Sequence, residues 1–342
     1  MFGIESESFR SLADLIAGPS SRLYPAYLLA TLAICAVIHR RRKISGPFLS
    51  WLVPRAIYLH ASHIVDIKVF LLGRAIAGLG VLNVVVFNAV VAAAIAERFA
   101  VGGGLAPFPT LGVAILLMAV SDFATYWVHR VHHENRIIWP FHSLHHSAEV
   151  MTPITVYRKH PVYDLISSFV RGLLIGVLQG ALLALFQQTP SMATIAGVNA
   201  CYVLFNFAGS NLRHSHVWLS FGPALEHVFI SPAQHQIHHS LAPRHHNKNY
   251  GEILAIWDWM FGTLYIPREM EVIEYGLGDR EGRRLRQRHD SLRAAMLVPL
   301  KDSWRQIRKR LGRPAPAPAP APVAETEAAG APAAAIRLSD QA

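Results

Sequence analysis

Three short boxes of histidines are the residues of this sequence best suited to chemistry. The first box is H-R-x-x-H at 129–133, and the second and third have the form H-x-x-H-H at 142–146 and 235–239. In a helix, residues three and four apart share a face, so each box projects its imidazoles from one side. With 19 histidines in 342 residues, composition alone would place an H-x-x-H-H box at about one starting position in ten thousand. Two such helical faces, packed against each other, could bind metal ions between them.

The type of ligand narrows the choice of metal. Imidazole is the commonest metal ligand in proteins, and the neutral ring brings no negative charge into the site. A site with around ten such nitrogens and few carboxylates suits iron, zinc, copper or nickel, and not magnesium or calcium. The residues by themselves therefore predict a polynuclear, imidazole-rich site.

Asp122 is an acidic residue inside an apolar run that leads into the first box. Seven residues separate it from His129, which is close to two helical turns, so both would lie on nearly the same face. A histidine that binds a metal usually donates a hydrogen bond from its other ring N–H to a carboxylate or a carbonyl. We therefore predict that Asp122 supports a ligand histidine from outside the metal site. The alternative is an aspartate that caps or pairs helices.

Composition indicates a membrane protein. The chain is 52% hydrophobic, which exceeds the usual share in soluble proteins. Its formal net charge is +10, but the basic residues cluster beside apolar segments, as in proteins that keep Lys and Arg on the cytoplasmic side. We therefore predict no nucleic-acid partner. The two cysteines, Cys35 and Cys201, lie inside apolar runs and provide neither a disulfide framework nor a cysteine zinc site.

The apolar runs predict the passage of the chain through the membrane. Five runs are predicted as spans, at 23–38, 76–96, 111–128, 165–186 and 192–209. The amphipathic segment 45–73 is predicted to lie in the membrane interface. The basic run 39–43 marks a cytoplasmic end, and two hairpins of spans would then leave every histidine box on the cytoplasmic side. If the first run enters the membrane without crossing it, there are four spans.

The sequence around the histidine boxes resembles that of a known family. Besides the boxes themselves, it includes D-x-x-x-Y-W-x-H-R from Asp122, R-K-H-P from Arg158, and N-Y-G followed by W-D-W-M-F-G-T within 249–263. In these motifs the chain resembles the fatty acid hydroxylase and sterol desaturase superfamily, which are membrane di-iron oxygenases. The resemblance covers roughly 111–267.

The resemblance implies a set of metal ligands. We expect nine histidines to bind the metals: His129, His133, His142, His145, His146, His214, His235, His238 and His239. Three more are held in reserve, namely His132, His160 and His216. His214 and His216 compete for one position after the fifth span. For His160, a surface histidine before a helix is an equally good interpretation.

The resemblance also implies an architecture. We expect an all-α, polytopic membrane protein whose cytoplasmic, histidine-rich helical cap holds a dinuclear metal site. The predicted divisions are an N-terminal membrane region with about two spans and an interfacial helix, a fatty acid hydroxylase-like domain, a charged cytoplasmic helical segment, and a disordered Pro/Ala-rich tail, at 1–110, 111–267, 268–313 and 314–342. Localisation in the inner membrane is expected if the chain is bacterial.

The implied activity is an O2-dependent oxidation that hydroxylates or desaturates an alkyl position of a lipid, fatty acid or sterol-like substrate. It would use two iron ions, with O2 as co-substrate. The sequence contains no Gly-rich dinucleotide loop and no fused haem-binding H-P-G-G motif. Electrons would therefore come from a separate donor, a ferredoxin- or cytochrome-type protein with its reductase. The alternative is a histidine-rich membrane protein that binds or transports metal without redox catalysis; transport usually needs polar residues near the midplane, and these spans have few.

Overall fold

The computed structural model describes residues 17–19, 21–79, 85–99, 109–186 and 192–312. Within these ranges the chain is helical, and its only β structure is three isolated bridges. The predicted all-α fold is therefore confirmed. The predicted disordered tail at 314–342 lies outside the described residues.

Thirteen α-helices are described, and three 3-10 turns join them at Pro153–Tyr157, Ser210–His214 and Pro243–His245. The α-helices run in order as α1 Pro25–Arg41, α2 Phe48–Leu52, α3 Arg55–Tyr58, α4 Ala61–Gly78, α5 Val85–Arg98, α6 Thr110–Glu134, α7 Trp139–His146, α8 Pro161–Phe186, α9 Met192–Phe207, α10 Pro223–Glu226, α11 Pro232–His238, α12 Ile256–Met260 and α13 Leu292–Arg310.

Among the residues that the structure describes, two helices are long and apolar enough to cross a membrane. They are α6 with 25 residues and α8 with 26 residues, and at about 1.5 Å per residue each exceeds the roughly 30 Å of the hydrocarbon core. They correspond to the predicted third and fourth spans. The described α1 and α9 are shorter, with 17 and 16 residues. These apolar helices indicate a membrane protein.

The region before α6 differs from the prediction. Segment 45–73 is predicted to lie along the interface; in the structure α4 is bent by 84° from α2 and α3, and the three helices together have the length and apolarity of one broken span or of a re-entrant segment. The predicted second span at 76–96 does not begin as one helix, because α4 continues to Gly78 and is capped at Leu79. Helix α4 ends at Gly78, and glycine is a poor helix former. The next described helix is α5.

Glycines on α8 allow the helices to pack closely. A Cβ at Gly180 would lie 2.7 Å from the backbone oxygen of Ala92, and one at Gly176 would lie 2.7 Å from the Cβ of Val91. Both contacts are with α5, and α8 also packs on α6. Small residues at helix contacts are typical of membrane proteins, where close packing of backbones drives association. The glycines thus hold α5 and α8 together, and α8 in turn supports α6.

The segment predicted as charged and helical, 268–313, is helical only in α13. Residues 264–291 contain no helix. Gly276 and Gly282 explain this difference, since both adopt a positive φ that most residues avoid. Helix α13 packs on α7, where Ala295 and Leu144 share one buried cluster.

A buried ion pair fixes the helix that carries the second box. The Arg158 guanidinium lies 2.7 Å from the Asp66 carboxylate, and both side chains are fully buried. Arg158 also donates to the backbone oxygens of Leu144 on α7 (2.9 Å), Ser62 on α4 (3.0 Å) and His289 before α13 (3.2 Å). One side chain thus joins α4, α7 and the segment before α13, and the arginine of the R-K-H-P motif has a structural explanation.

We predict that Arg158→Met destabilises the protein by about 3–5 kcal/mol, because removing one partner leaves the other charge buried and unpaired. The measurement is the free energy of unfolding in detergent micelles. The matched control is Arg268→Met, which changes an exposed arginine. Arg158→Met/Asp66→Leu should recover part of the loss, since it removes both charges. Equal stability of Arg158→Met and the control would contradict this role.

Candidate metal centre

The histidines reach the centre from four elements. The end of α6 carries His129 and His133, the 3-10 turn Ser210–His214 ends in His214, and the two short helices α7 and α11 carry the second and third boxes. Helix α11 starts where its sequence requires: Ser231 accepts from the backbone N–H of Gln234, and the Gln234 side chain accepts from the N–H of Ser231. The box therefore begins in the first turn after a defined cap.

The nine predicted ligands fall into two groups. Within each group, one ligand atom from every histidine lies within 4.8 Å of the others. One group has five members, and the other has four; we call them the five-histidine group, His129, His133, His142, His146 and His238, and the four-histidine group, His145, His214, His235 and His239. The structure thus brings together every histidine that was predicted as a ligand.

Each H-x-x-H-H box is shared between the two groups. His142 and His146, four residues apart, belong to the five-histidine group, whereas His145 between them belongs to the other. Likewise His235 and His239 belong to the four-histidine group, whereas His238 belongs to the five-histidine group. In a helix, positions i and i+4 are about 40° apart and position i+3 lies about 100° from i+4. The box therefore presents ligands in two directions from one helix turn.

The two groups adjoin. The rings of His146 and His239 stack with centroids 4.4 Å apart and an interplanar angle of 22°, and the ring centroids of His238 and His239 are 5.4 Å apart. Each of these contacts joins a member of the five-histidine group to a member of the four-histidine group. Two metal ions held by these groups would be close neighbours, as in two-metal sites that act on one substrate.

Two backbone carbonyls orient ligands of the five-histidine group. Nδ1 of His129 lies 2.8 Å from the oxygen of Tyr250, and Nδ1 of His238 lies 2.8 Å from the oxygen of Lys248. Because a carbonyl can only accept, each Nδ1 must carry the hydrogen, which leaves the Nε2 lone pair free for a metal. These two carbonyls are functional groups that the sequence reasoning missed.

The remaining ring nitrogens also fit a metal. Six buried histidine nitrogens in the two groups have no hydrogen-bond partner among the described residues: Nε2 of His133 and His238, and Nδ1 of His142, His145, His235 and His239. Several Nε2 atoms face each other instead, for example His142 and His146 at 3.2 Å and His214 and His235 at 3.1 Å. Buried polar atoms normally have partners. A metal ion bound in the five-histidine group would supply such a partner for Nε2 of His133 and of His238.

Burial keeps these rings neutral. It lowers the pKa of His238 to about 4, which the carbonyl of Lys248 only partly offsets. Burial, with the neighbouring His214, also lowers the pKa of His235 well below its ordinary value. No carboxylate belongs to either group of described histidines. At neutral pH the lone pairs are therefore available to bind metal.

The three reserve histidines, His132, His160 and His216, lie outside both groups. Each has a ring nitrogen within hydrogen-bond distance of a backbone carbonyl, those of Val128 (2.7 Å), Met296 (3.0 Å) and Trp51 (2.9 Å) respectively. His160 also accepts from the N–H of Val162 at the start of α8. Between His214 and His216, the structure brings His214 into the four-histidine group.

Asp122 does not make the predicted contact with a ligand histidine. Its carboxylate accepts from the backbone N–H of Ile253 (2.9 Å), the backbone N–H of Leu254 (3.0 Å) and Nε1 of Trp257 (3.0 Å). The prediction failed because helical spacing gives the face of a residue but not the partner that packs there. Asp122 instead holds the loop that follows Tyr250, and so acts on His129 only through that loop.

The N-Y-G and W-D-W motifs build the same loop. Asn249 has a φ of 56°, and its amide donates to the carbonyl of Gln234 on α11. Asp258 accepts from the backbone N–H groups of Tyr250 and Gly251, each at 2.8 Å. A Cβ at Gly251 would lie 2.6 Å from the oxygen of Leu254, so only glycine fits there. These motifs therefore fix the carbonyls that orient His129 and His238.

A cavity of about 120 Å³ opens onto both groups. Its lining includes His129 and His142 from the five-histidine group and His145, His214 and His235 from the other. A water molecule needs roughly 10–15 Å³ of such space, so the cavity can hold a chemical group of several atoms beside the histidines. In this cavity a substrate could contact metal ions bound to the histidines.

The part of the chain that carries the histidine boxes is similar to known proteins. The fatty acid hydroxylase family model matches residues 114–263, a range that contains all three boxes. Ornithine lipid hydroxylase from Rhizobium tropici is 30% identical over 170 residues, covering 50% of this chain and 47% of that protein. Alkylglycerol monooxygenase from Danio rerio is 33% identical over 156 residues, which are 46% of this chain and 31% of that protein.

A third relative is sphinganine C4-monooxygenase 2 from Arabidopsis thaliana, 29% identical over 164 residues that cover 46% of this chain and 55% of that protein. The chain thus spans roughly a third to a half of the length of these relatives. No solved structure matches it significantly. The predicted resemblance is confirmed over the histidine region.

The sharing of each box predicts different losses from adjacent substitutions. His145→Ala leaves three ligands in the four-histidine group, whereas His146→Ala leaves four in the other. We expect His145→Ala to lower bound iron by about one ion per chain in a two-metal site, and His146→Ala to lower it less. The measurement is elemental analysis of detergent-purified protein loaded with iron. His216→Ala is the control and should keep all the metal. Full metal retention by His145→Ala would contradict the grouping.

Proposed function

We propose that this chain, whose residues 114–263 match the fatty acid hydroxylase family model, is a membrane-bound di-iron oxygenase that hydroxylates an alkyl position of a lipid. The observation that carries the proposal is the pair of adjoining groups of five and four neutral histidines, of which all but His129 and His133 are buried. Imidazole ligands without carboxylates suit iron better than magnesium or calcium. The ligands we propose are the nine histidines of the two groups.

Bound iron would supply the activation of O2 and the abstraction of hydrogen from an unreactive C–H bond. The residues of the chain orient the ligands and give the substrate access to them. The carbonyls of Lys248 and Tyr250 hold two imidazoles with their Nε2 atoms free. The cavity lets a substrate group reach the histidines, and α6, which carries His129 and His133, is one of the two long apolar helices. A lipid in the bilayer could therefore approach without passing through water.

Hydroxylation is favoured over desaturation. The relatives described above are named as a hydroxylase and as monooxygenases. Both reactions begin with removal of one hydrogen, and they differ in whether oxygen is then added or a second hydrogen is lost. Hydroxylation with O2 puts one oxygen atom into the product and, with two electrons and two protons, converts the other into water.

The two electrons need a donor. We propose a separate ferredoxin- or cytochrome-type protein with its reductase, because the sequence has no dinucleotide-binding or haem-binding motif of its own. We also propose that the chain divides into four segments at 1–110, 111–267, 268–313 and 314–342. Within the third segment, the described helix is α13.

The proposal predicts iron and labelled product. Detergent-purified protein should bind about two iron ions per chain. Incubated under 18O2 with a reductase system and lipid extract, it should place labelled oxygen in a new hydroxyl group, as mass spectrometry would detect. His238→Ala is the inactive control. A new double bond without label would shift the reaction to desaturation. Product formed equally well without O2 would exclude both.

Orientation is the second prediction of this function. We propose that the histidine centre and the end of the chain face the cytoplasm, in the inner membrane if the chain is bacterial, because the basic run 39–43 follows the first apolar run. Reporter fusions at Gly103 and after Thr263 should then report opposite sides of the membrane. Two reports from the same side would contradict the hairpin arrangement.

A further inference from the structure

The cavity beside the histidines carries an excess of positive charge. Four basic side chains contribute to its lining, and the one acidic residue on the lining is Glu252; the basic residues are Arg22, Lys159, Arg171 and Arg213. They come from separate parts of the chain: the segment before α1, the R-K-H-P motif, helix α8 and the 3-10 turn that carries His214. The histidines that share the cavity are neutral, so they do not balance this charge.

Glu252 compensates only one of the four cations. Its carboxylate lies 3.7 Å from the Arg22 guanidinium. Burial would raise the pKa of Glu252, but Arg22 and Arg213, with the two other cations, lower it below the ordinary value. Glu252 is therefore ionised at neutral pH, and the described lining keeps a formal excess of three positive charges. Asp164 interacts with Lys159 and Arg171 but does not line the cavity.

Arg171 lies within a helix that is long enough to cross the membrane. It is ten residues after Pro161, the first residue of α8, which corresponds to about 15 Å along the helix axis. Among the described residues, no carboxylate lies within ion-pair distance of it. An ionisable residue at such a depth is costly and usually has a function. Arg171 faces the cavity, where an anion could pair with it.

Arg213 also has an incomplete set of partners. It is buried, with an exposed fraction of 3%, and its guanidinium lies 4.6 Å from the ring centroid of Phe205 and donates to the backbone oxygen of Glu252. Its Nε has no hydrogen-bond partner. A buried guanidinium N–H without an acceptor is expensive. Arg213 lies one residue before His214, so a group bound to it would be next to the four-histidine group.

We propose that this cavity binds the anionic oxygens of a lipid headgroup, a phosphate or a carboxylate, and that the carbon to be oxidised lies near that headgroup and not in the middle of an acyl chain. Arginine and lysine recognise such oxygens by charge-assisted hydrogen bonds. The same cavity is lined by His142, His145 and His235, so the anion and the metals share one small space. The inference rests on the proposed function and specifies its substrate class.

The experiment measures binding without turnover. The full-length protein is placed in nanodiscs of a zwitterionic phosphatidylcholine, without O2 or reductant, and is titrated with dihexanoyl phosphatidate, dihexanoyl glycerol and inorganic phosphate. We expect saturable binding of the phosphatidate and much weaker binding of the neutral lipid and of free phosphate. Lys159→Gln and Arg171→Gln should each weaken phosphatidate binding about tenfold or more, since each removes a hydrogen-bonding cation.

The matched controls are Lys301→Gln and Arg268→Gln, which change exposed residues outside the cavity lining and should bind as the wild type. Equal binding of the phosphatidate and the neutral lipid, or wild-type binding by the Lys159→Gln/Arg171→Gln variant, would overturn the proposal. Free phosphate binding as tightly as phosphatidate would overturn the assignment to a lipid. Selective phosphatidate binding without any O2-dependent product would support the headgroup site but count against the oxygenase activity, and with it against the position proposed for the oxidised carbon.

Discussion

Nine neutral imidazoles lie close together in this protein, and contacts among the rings do not by themselves fix the number or the orientation of the rings. Nε2 atoms of neighbouring rings lie 3.1–3.2 Å apart in both groups. The surrounding structure must therefore impose the arrangement. Each contact described around the site, from the Arg158 ion pair to the loop carbonyls, contributes to that constraint.

The support is arranged in layers around the rings. Closest to them, the carbonyls of Lys248 and Tyr250 set which nitrogen of His238 and His129 carries the hydrogen. Behind this loop, the carboxylate of Asp258 holds the N–H of Tyr250, and Asp122 holds the two N–H groups that follow farther along. Both aspartates accept from backbone donors, which fix the path of the chain more firmly than a contact between two flexible side chains would.

The sequence predicted those parts of the site that depend on local geometry. The spacing of three and four residues put the histidines of each box on one helical turn, and the structure places all nine expected ligands within the two groups. The all-α fold and the helices α6 and α8 followed from apolar runs that are long and continuous. In these cases residues close in the chain determine the result.

Other parts depend on contacts between distant residues, which spacing does not encode. Asp122 was assigned to a histidine seven residues away, yet its partners lie more than 130 residues later. The pairing of Asp66 with Arg158 joins a segment predicted as interfacial to the R-K-H-P motif. The end of α4 at Gly78 was also missed, because the sequence stays apolar on both sides of this glycine and hydropathy alone does not mark the end of a helix.

Helices α7 and α11 each carry ligands of both groups, and this has a mechanical consequence. A rigid rotation of α7 that moves His145 away from the four-histidine group must also move His142 and His146 relative to the five-histidine group. The same holds for α11. Neither group can open while the other keeps its geometry, so the two halves of the centre deform as a single body.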